Sequence, residues 1–233
     1  MVVIGRERPE STYRRLKELV VNYKFRPQEP LSPVSIADRL RVSATPVREA
    51  LARLHGEDLV SLVANRGFFA KTLDLKEMRD HYELALQISI HAINDTSIDR
   101  KALKVLSNIN RCERVAYSVF RSEFIENLHL GIAALTGNGV MLQSIRKFND
   151  QTHFVRSIHL EADENFNEIV EDMSTLVSAL ERCDVTAAIT NLRRQRDKKL
   201  AQMSDLVREG LARCSESFQT EWSSECQLSE TGV

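Results

Sequence analysis

From Tyr13 the apolar residues return every three or four positions, through Leu16, Leu19 or Val20, and Tyr23. That spacing places them on one face and predicts an amphipathic helix over residues 10–25. The same period predicts a second helix over 33–41, packed through Ile36, Ala37 and Leu40, and a third over 44–56, packed through Val47, Ala50, Leu51 and Leu54. Arg26–Leu31, with its two prolines, reads as a turn. Ser43 stands at the N-cap of the third helix, where a hydroxyl accepts a bond from an unpaired N–H of the first turn. Pro46 falls inside that turn, where its missing N–H costs nothing. Beyond the third helix, residues 59–63 and 67–71 read as two short strands joined through Ala64-Asn65-Arg66-Gly67, and Asn and Gly tolerate the positive φ of a tight turn.

After Thr72 only the helical period survives. Leu75, Met78, Tyr82, Ala85 and Ala92 form one stripe, and Phe120, Phe124, Leu128, Ile132 and Leu135 another. Ile169, Met173, Leu176, Val177 and Leu180 form a third, and Ile189, Leu192, Leu200, Met203 and Leu206 a fourth. All five prolines lie in the first 46 residues, so nothing later breaks a helix by that route. Helices are predicted over 75–95, 98–118, 121–136, 138–160, 164–182 and 185–213, with breaks at Thr136-Gly137-Asn138-Gly139 and at Asp184. The fold class is therefore mainly α. An N-terminal winged helix-turn-helix with a small β-hairpin wing (residues 8–72) is followed by an all-α helical bundle (73–214). Residues 215–233, with five serines and the single Trp222, read as a flexible tail.

Composition narrows the function. The net charge of −1 conceals a basic front: residues 1–70 carry 12 Lys and Arg against 8 Asp and Glu, while the remainder carries 20 against 25. A basic module ahead of an acidic body fits a nucleic-acid reader joined to a domain with another task. Cys112, Cys183, Cys214 and Cys226 show no Cys-x-x-Cys pairing, so neither a zinc ribbon nor a disulfide framework is indicated, and reduced thiols in a cytoplasm are expected. No apolar run approaches a membrane span, and no membrane partner is expected. There is no Gly-x-Ser-x-Gly, Walker or paired-carboxylate motif, so catalytic residues and cofactors are read as none and an enzyme is not expected.

The chemistry sits at the leading end of the third helix. Ser43, Ala44, Thr45 and Arg48 point outward there, and a capped helix offering hydroxyls and a guanidinium suits the DNA major groove. Val42-Ser43-Ala44-Thr45-Pro46-Val47-Arg48-Glu49-Ala50-Leu51, the Leu-x-x-Glu-x-Leu-Val of Leu54–Val60 and the Asn65-Arg66-Gly67 tip resemble bacterial GntR-type transcription regulators. The helical remainder resembles the FCD effector domain of their FadR-like subfamily, on Glu77, Tyr82-Glu83-Leu84, Leu128-His129, Thr136-Gly137-Asn138, Ala179, Asp184 and Ala188. The resemblance implies DNA contacts from Ser43, Ala44, Thr45 and Arg48, and from the wing at Arg66 and Gly67. Arg48 is the candidate for bonding guanine O6 and N7 together. The alternative is a solvated arginine paired with Glu49 or in the neighbourhood of Glu57. Where many relatives carry arginine this chain has Ala44, which can touch a thymine methyl but cannot read guanine. Arg41 and Arg53 read equally as surface charge or phosphate contacts.

The resemblance also implies a divalent-metal site, from an Asp and a His four residues apart plus two later His. This chain keeps His129, but the other three positions fall on Ile125, Met173 and Gln195. A substitute set of Glu126, His129 and His153 or His159 is weakly supported, and metal ligands are read as none. The arginine expected after Tyr-Glu-Leu is Ala85. Ala85, Ile125, His129, Met173 and Gln195 thus outline a weakly polar effector site for an uncharged or largely apolar molecule. The expected function is a sequence-specific regulator, a repressor, binding a double-stranded DNA operator as a homodimer and modulated by an unknown small molecule. The alternative is a ligand-blind DNA- or partner-binding factor whose former pocket only fills the core.

Overall fold

Three helices form where the apolar spacing demands them, and a hairpin closes their open side. The structure, a computed structural model, describes residues 9–94, Leu103 and residues 118–229. α1 (Pro9–Val21), α2 (Pro33–Leu40) and α3 (Ala44–Gly56) bury Leu16, Ile36, Val47, Leu51 and Leu54 in one core. β1 (Val60–Val63) and β2 (Gly67–Ala70) pair antiparallel, with Val60 opposite Ala70 and Val63 opposite Gly67. The N-terminal part of the chain is thus a winged helix-turn-helix.

Three local expectations are corrected. α1 stops at Val21, not Phe25, because Tyr23 takes a left-handed conformation (φ 51°) and the Lys24 N–H returns to the Leu19 carbonyl at 2.9 Å. Phe25 then turns into the core. The stretch read as a turn runs along the free edge of β2: Leu31 N–H bonds Phe68 O at 2.8 Å, and Ala70 N–H bonds Glu29 O at 3.0 Å. Pro30, which has no N–H to give, bridges Phe69 on that edge. Ser43 has the extended backbone of an N-cap, yet its hydroxyl makes no capping bond. The side-chain cap appears instead on α2, where Ser32 Oγ accepts from Ser35 N–H at 3.4 Å.

The remainder is helical: α4 (Leu75–Asn94), α5 (Ser118–Ala134), α6 (Gly139–Leu160), α7 (Asp163–Glu181) and α8 (Val185–Ser229). The helix predicted over 98–118 lies almost wholly outside the described residues. α8 continues past residue 213, through residues read as the start of a tail. Asn138 caps α6 by accepting from Val140 and Met141 N–H at 2.9 and 3.2 Å, and Asp184 caps α8 by accepting from Ala187 N–H at 2.9 Å. Leu128, Ile132, Leu160, Leu176 and Ala188 centre the apolar core, essentially without solvent contact. The chain partitions into two compact units: Asp74–Arg208 forms one, and the segments on either side of it form the other. No helix among the described residues is long and apolar enough to cross a membrane.

Candidate nucleic-acid interface and ligand cavity

α3 has a buried face and a free one. Val47, Ala50, Leu51 and Leu54 fix the helix in the core, which leaves Ser43, Thr45 and Arg48 exposed at its leading end. Ala44 is half-buried and packs partly against the same core. Arg48 makes no hydrogen bond or ion pair with any described residue. The partner weighed for it, Glu57, is engaged elsewhere. Tyr13 Oη donates to Glu57 at 2.7 Å, Lys17 Nζ at 3.2 Å and Arg53 Nε at 3.3 Å. Burial raises the Glu57 pKa, but these three donors outweigh it and hold the carboxyl below its ordinary range. Arg53 also lies 3.5 Å over the Tyr13 ring and pairs with Glu10 at 3.0 Å, so it fastens α3 to α1. At the wing, Asn65 (φ 60°) and Gly67 (φ 92°) make the turn, and exposed Arg66 rests 5.1 Å over the Phe69 ring.

In the helical unit one cavity gathers Ala85, Ile125, His129, Met173 and Gln195 from four helices. It offers about 110 Å³ to the centres of water-sized molecules. Arg156, His159, Glu168, Asp172, Lys198 and Lys199 line it too. Sequence reasoning weighed His159 as a metal ligand; it missed the other five because charged residues on an amphipathic helix read as solvent-facing. The one available signal was spacing: Lys199 follows Gln195 by four, on the same helix face.

A polar network stands behind the cavity. Asn149 Nδ2 donates to the Glu126 carbonyl at 3.1 Å, so its Oδ1 faces His129 Nδ1 at 3.0 Å as acceptor. His129 therefore carries its proton on Nδ1. Burial, then the Arg156 charge, lowers its pKa to about 4, and burial, then Lys199, does the same for His159. Both imidazoles are neutral at pH 7. The Glu126 carboxylate takes Arg156 at 2.6 Å and His153 Nδ1 at 2.8 Å, and burial's upward push on its pKa is more than offset.

Residues 9–70 match the family model described as bacterial regulatory proteins, gntR family, and residues 96–209 match the FCD domain. The Nta operon transcriptional regulator of Aminobacter aminovorans is 31% identical over 147 residues, spanning 60% of this chain and 69% of that protein. The chain belongs to the GntR family. It is a DNA-binding transcription regulator with an FCD domain, and not an enzyme. The HTH-type transcriptional repressor GlaR of Escherichia coli K12 is 25% identical over 198 residues, spanning 78% of this GntR chain and 89% of that protein. Two solved structures share the fold. A putative GntR regulator from Rhodococcus sp. RHA1 has TM-score 0.66 at 19% identity, covering 84% of this chain and 97% of that one. The Listeria monocytogenes protein Lar has TM-score 0.67 at 16% identity, covering 86% and 98%.

The metal implied by resemblance to other FCD regulators does not fit the residues of this GntR protein. Ile125 and Met173 offer no hard donor at two of the positions, and Gln195 Nε2 is turned to Asn191 Oδ1 at 2.5 Å. Among the described residues no three His, Cys, Asp or Glu side chains converge. Glu126 and His153 of the substitute set do meet, but Arg156 shares the carboxylate with them.

Proposed function

We propose that the protein is a repressor that binds a double-stranded operator as a homodimer and loses affinity for it when a small molecule occupies the helical-domain cavity. The leading end of α3 would enter the major groove with Ser43, Ala44, Thr45 and Arg48, while Arg66 and Gly67 of the wing meet the backbone or minor groove. One observation carries the DNA assignment: Arg48 is exposed at the helix start with no partner among the described residues, whereas Arg53, one and a half turns on, is engaged with Glu10 and Glu57. The dimer follows from operator logic, since one recognition helix reads too few base pairs for useful specificity. Small-molecule control is supported by the convergence of Ala85, Ile125, His129, Met173 and Gln195 on one cavity. Repression is in keeping with the role of GlaR, the Escherichia coli relative that is a transcriptional repressor. The deciding experiment is footprinting on the operator. Arg48→Ala should abolish the specific footprint while circular dichroism stays unchanged, and a retained footprint would remove α3 as the reading helix.

A further inference from the structure

The wall of the cavity includes Lys199, whose amine has no hydrogen-bond partner among the described residues. Its Nζ is closed off from solvent. Tyr82 on α4, His129 on α5, Arg156 and His159 on α6, Glu168 and Asp172 on α7, and Arg196 and Lys198 on α8 are the other ionisable groups lining the cavity among the described residues. The acids among them are committed to other cations. Glu168 holds Lys198 at 2.5 Å, and Asp172 holds Arg194 at 2.5 Å and Lys198 at 3.4 Å. Arg156 is taken by Glu126, and Arg196 by Glu83 and, at 2.8 Å, by Asp197. The imidazoles of His129 and His159 are neutral at pH 7.

A buried ammonium without an acceptor is unstable, and the cavity beside it is where an acceptor would come from. Burial, then repulsion by Arg156, lowers the Lys199 pKa from 10.5 to about 7, so the amine carries its proton only part of the time at neutral pH. Apolar residues, among them Ile125, Ile132, Phe148 and Leu192, supply much of the remaining wall. Arg156, Arg196 and Lys198 on the same wall are already paired with carboxylates, so among the described residues Lys199 is the lining cation left for a single carboxylate. Where the family resemblance implies a metal, this chain thus has a side-chain cation one helical turn beyond Gln195.

We propose that Lys199 is the seat for the carboxylate of a monoanionic, otherwise apolar ligand, and that the amine takes up a proton as this ligand binds. This assignment rests on the proposed reading of the cavity as a ligand site. It replaces the uncharged ligand expected from the sequence.

The test uses the full chain and a panel of short aliphatic and aromatic monocarboxylates, each paired with its primary amide and run beside inorganic phosphate. Thermal shift and titration calorimetry at several pH values are the readouts. At least one acid should raise the melting temperature by several degrees at pH 6.5 while its amide does not. Its affinity should fall about tenfold per pH unit above pH 7, because the free amine must then be protonated on binding. Calorimetry in buffers of different ionisation enthalpy should show uptake of up to one proton at pH 8. Lys199→Met should abolish the response to the acid and raise the melting temperature of the unliganded protein. Lys199→Arg should bind the acid without the pH dependence above 7. The proposal is overturned if no acid outperforms its amide, if phosphate matches the acids, or if the acid binds Lys199→Met unchanged. An acid that binds as described yet leaves operator affinity untouched would remove ligand control and leave the anion seat standing.

Discussion

Ser43 and Arg48 share a property that separates them from neighbouring polar groups: neither side chain bonds to any described residue. A side-chain N-cap is worth roughly 1 kcal/mol, but Ser43 makes no such bond. Ser43→Ala should therefore change stability by less than about 0.5 kcal/mol in urea titration, while weakening operator binding. Arg53→Ala should do the reverse. It removes a stacking contact with Tyr13 and two ion pairs, and a loss of about 1 kcal/mol is expected. For both arginines the sequence left a surface-charge reading open. The distinction needed the position of Glu57, which lies close in sequence to Arg53 and draws in Tyr13 and Lys17 from a distant helix.

Helix ends show what periodicity could and could not reveal. α2 and α3 fall almost on their predicted bounds, since proline, a cap position and a clean apolar face agree there. The end of α1 did not, because the usual glycine is absent. Tyr23, Arg41, Asp58 and Cys183 each close a helix at φ between 51° and 60°. In each case a following N–H reaches back five residues, as Asp184 N–H does to Ala179 O at 2.9 Å. Such conformations are unfavourable for residues with a Cβ. Cys183 is exposed, so Cys183→Gly relieves this without opening a cavity and should stabilise the protein by about 0.5–1 kcal/mol, measured by urea denaturation. A lower midpoint would show that the thiol makes a contact worth more than the strain.

For the molecule as a whole, two dependences on solution conditions follow. The basic N-terminal part should bind DNA through phosphate neutralisation, so operator affinity should fall by roughly a thousandfold or more between about 50 and about 200 mM salt. A flat response in fluorescence anisotropy would contradict DNA as the partner. His129 and His159 have folded pKa values near 4, below the 6.5 of an unfolded chain. A base whose pKa is lowered by folding contributes fully above pH 6.5 and loses that contribution as pH falls toward 4. Up to about 3 kcal/mol per histidine is at stake, and His159→Asn should flatten this limb of the stability–pH curve.

The sequence by itself determined the helical body, the winged head and the bounds of α2 and α3. Those features are written in local spacing, capping chemistry and a motif that survives in a single stretch of chain. Only the tertiary structure decided which charges are used up and which are left over. Whether an arginine or lysine is paired depends on residues tens of positions away, as Arg156 on Glu126 and Arg53 on Glu10 show. Lys199 reads as one more solvated lysine until the bundle encloses its amine and its helix neighbours Arg194 and Lys198 take the carboxylates of Asp172 and Glu168.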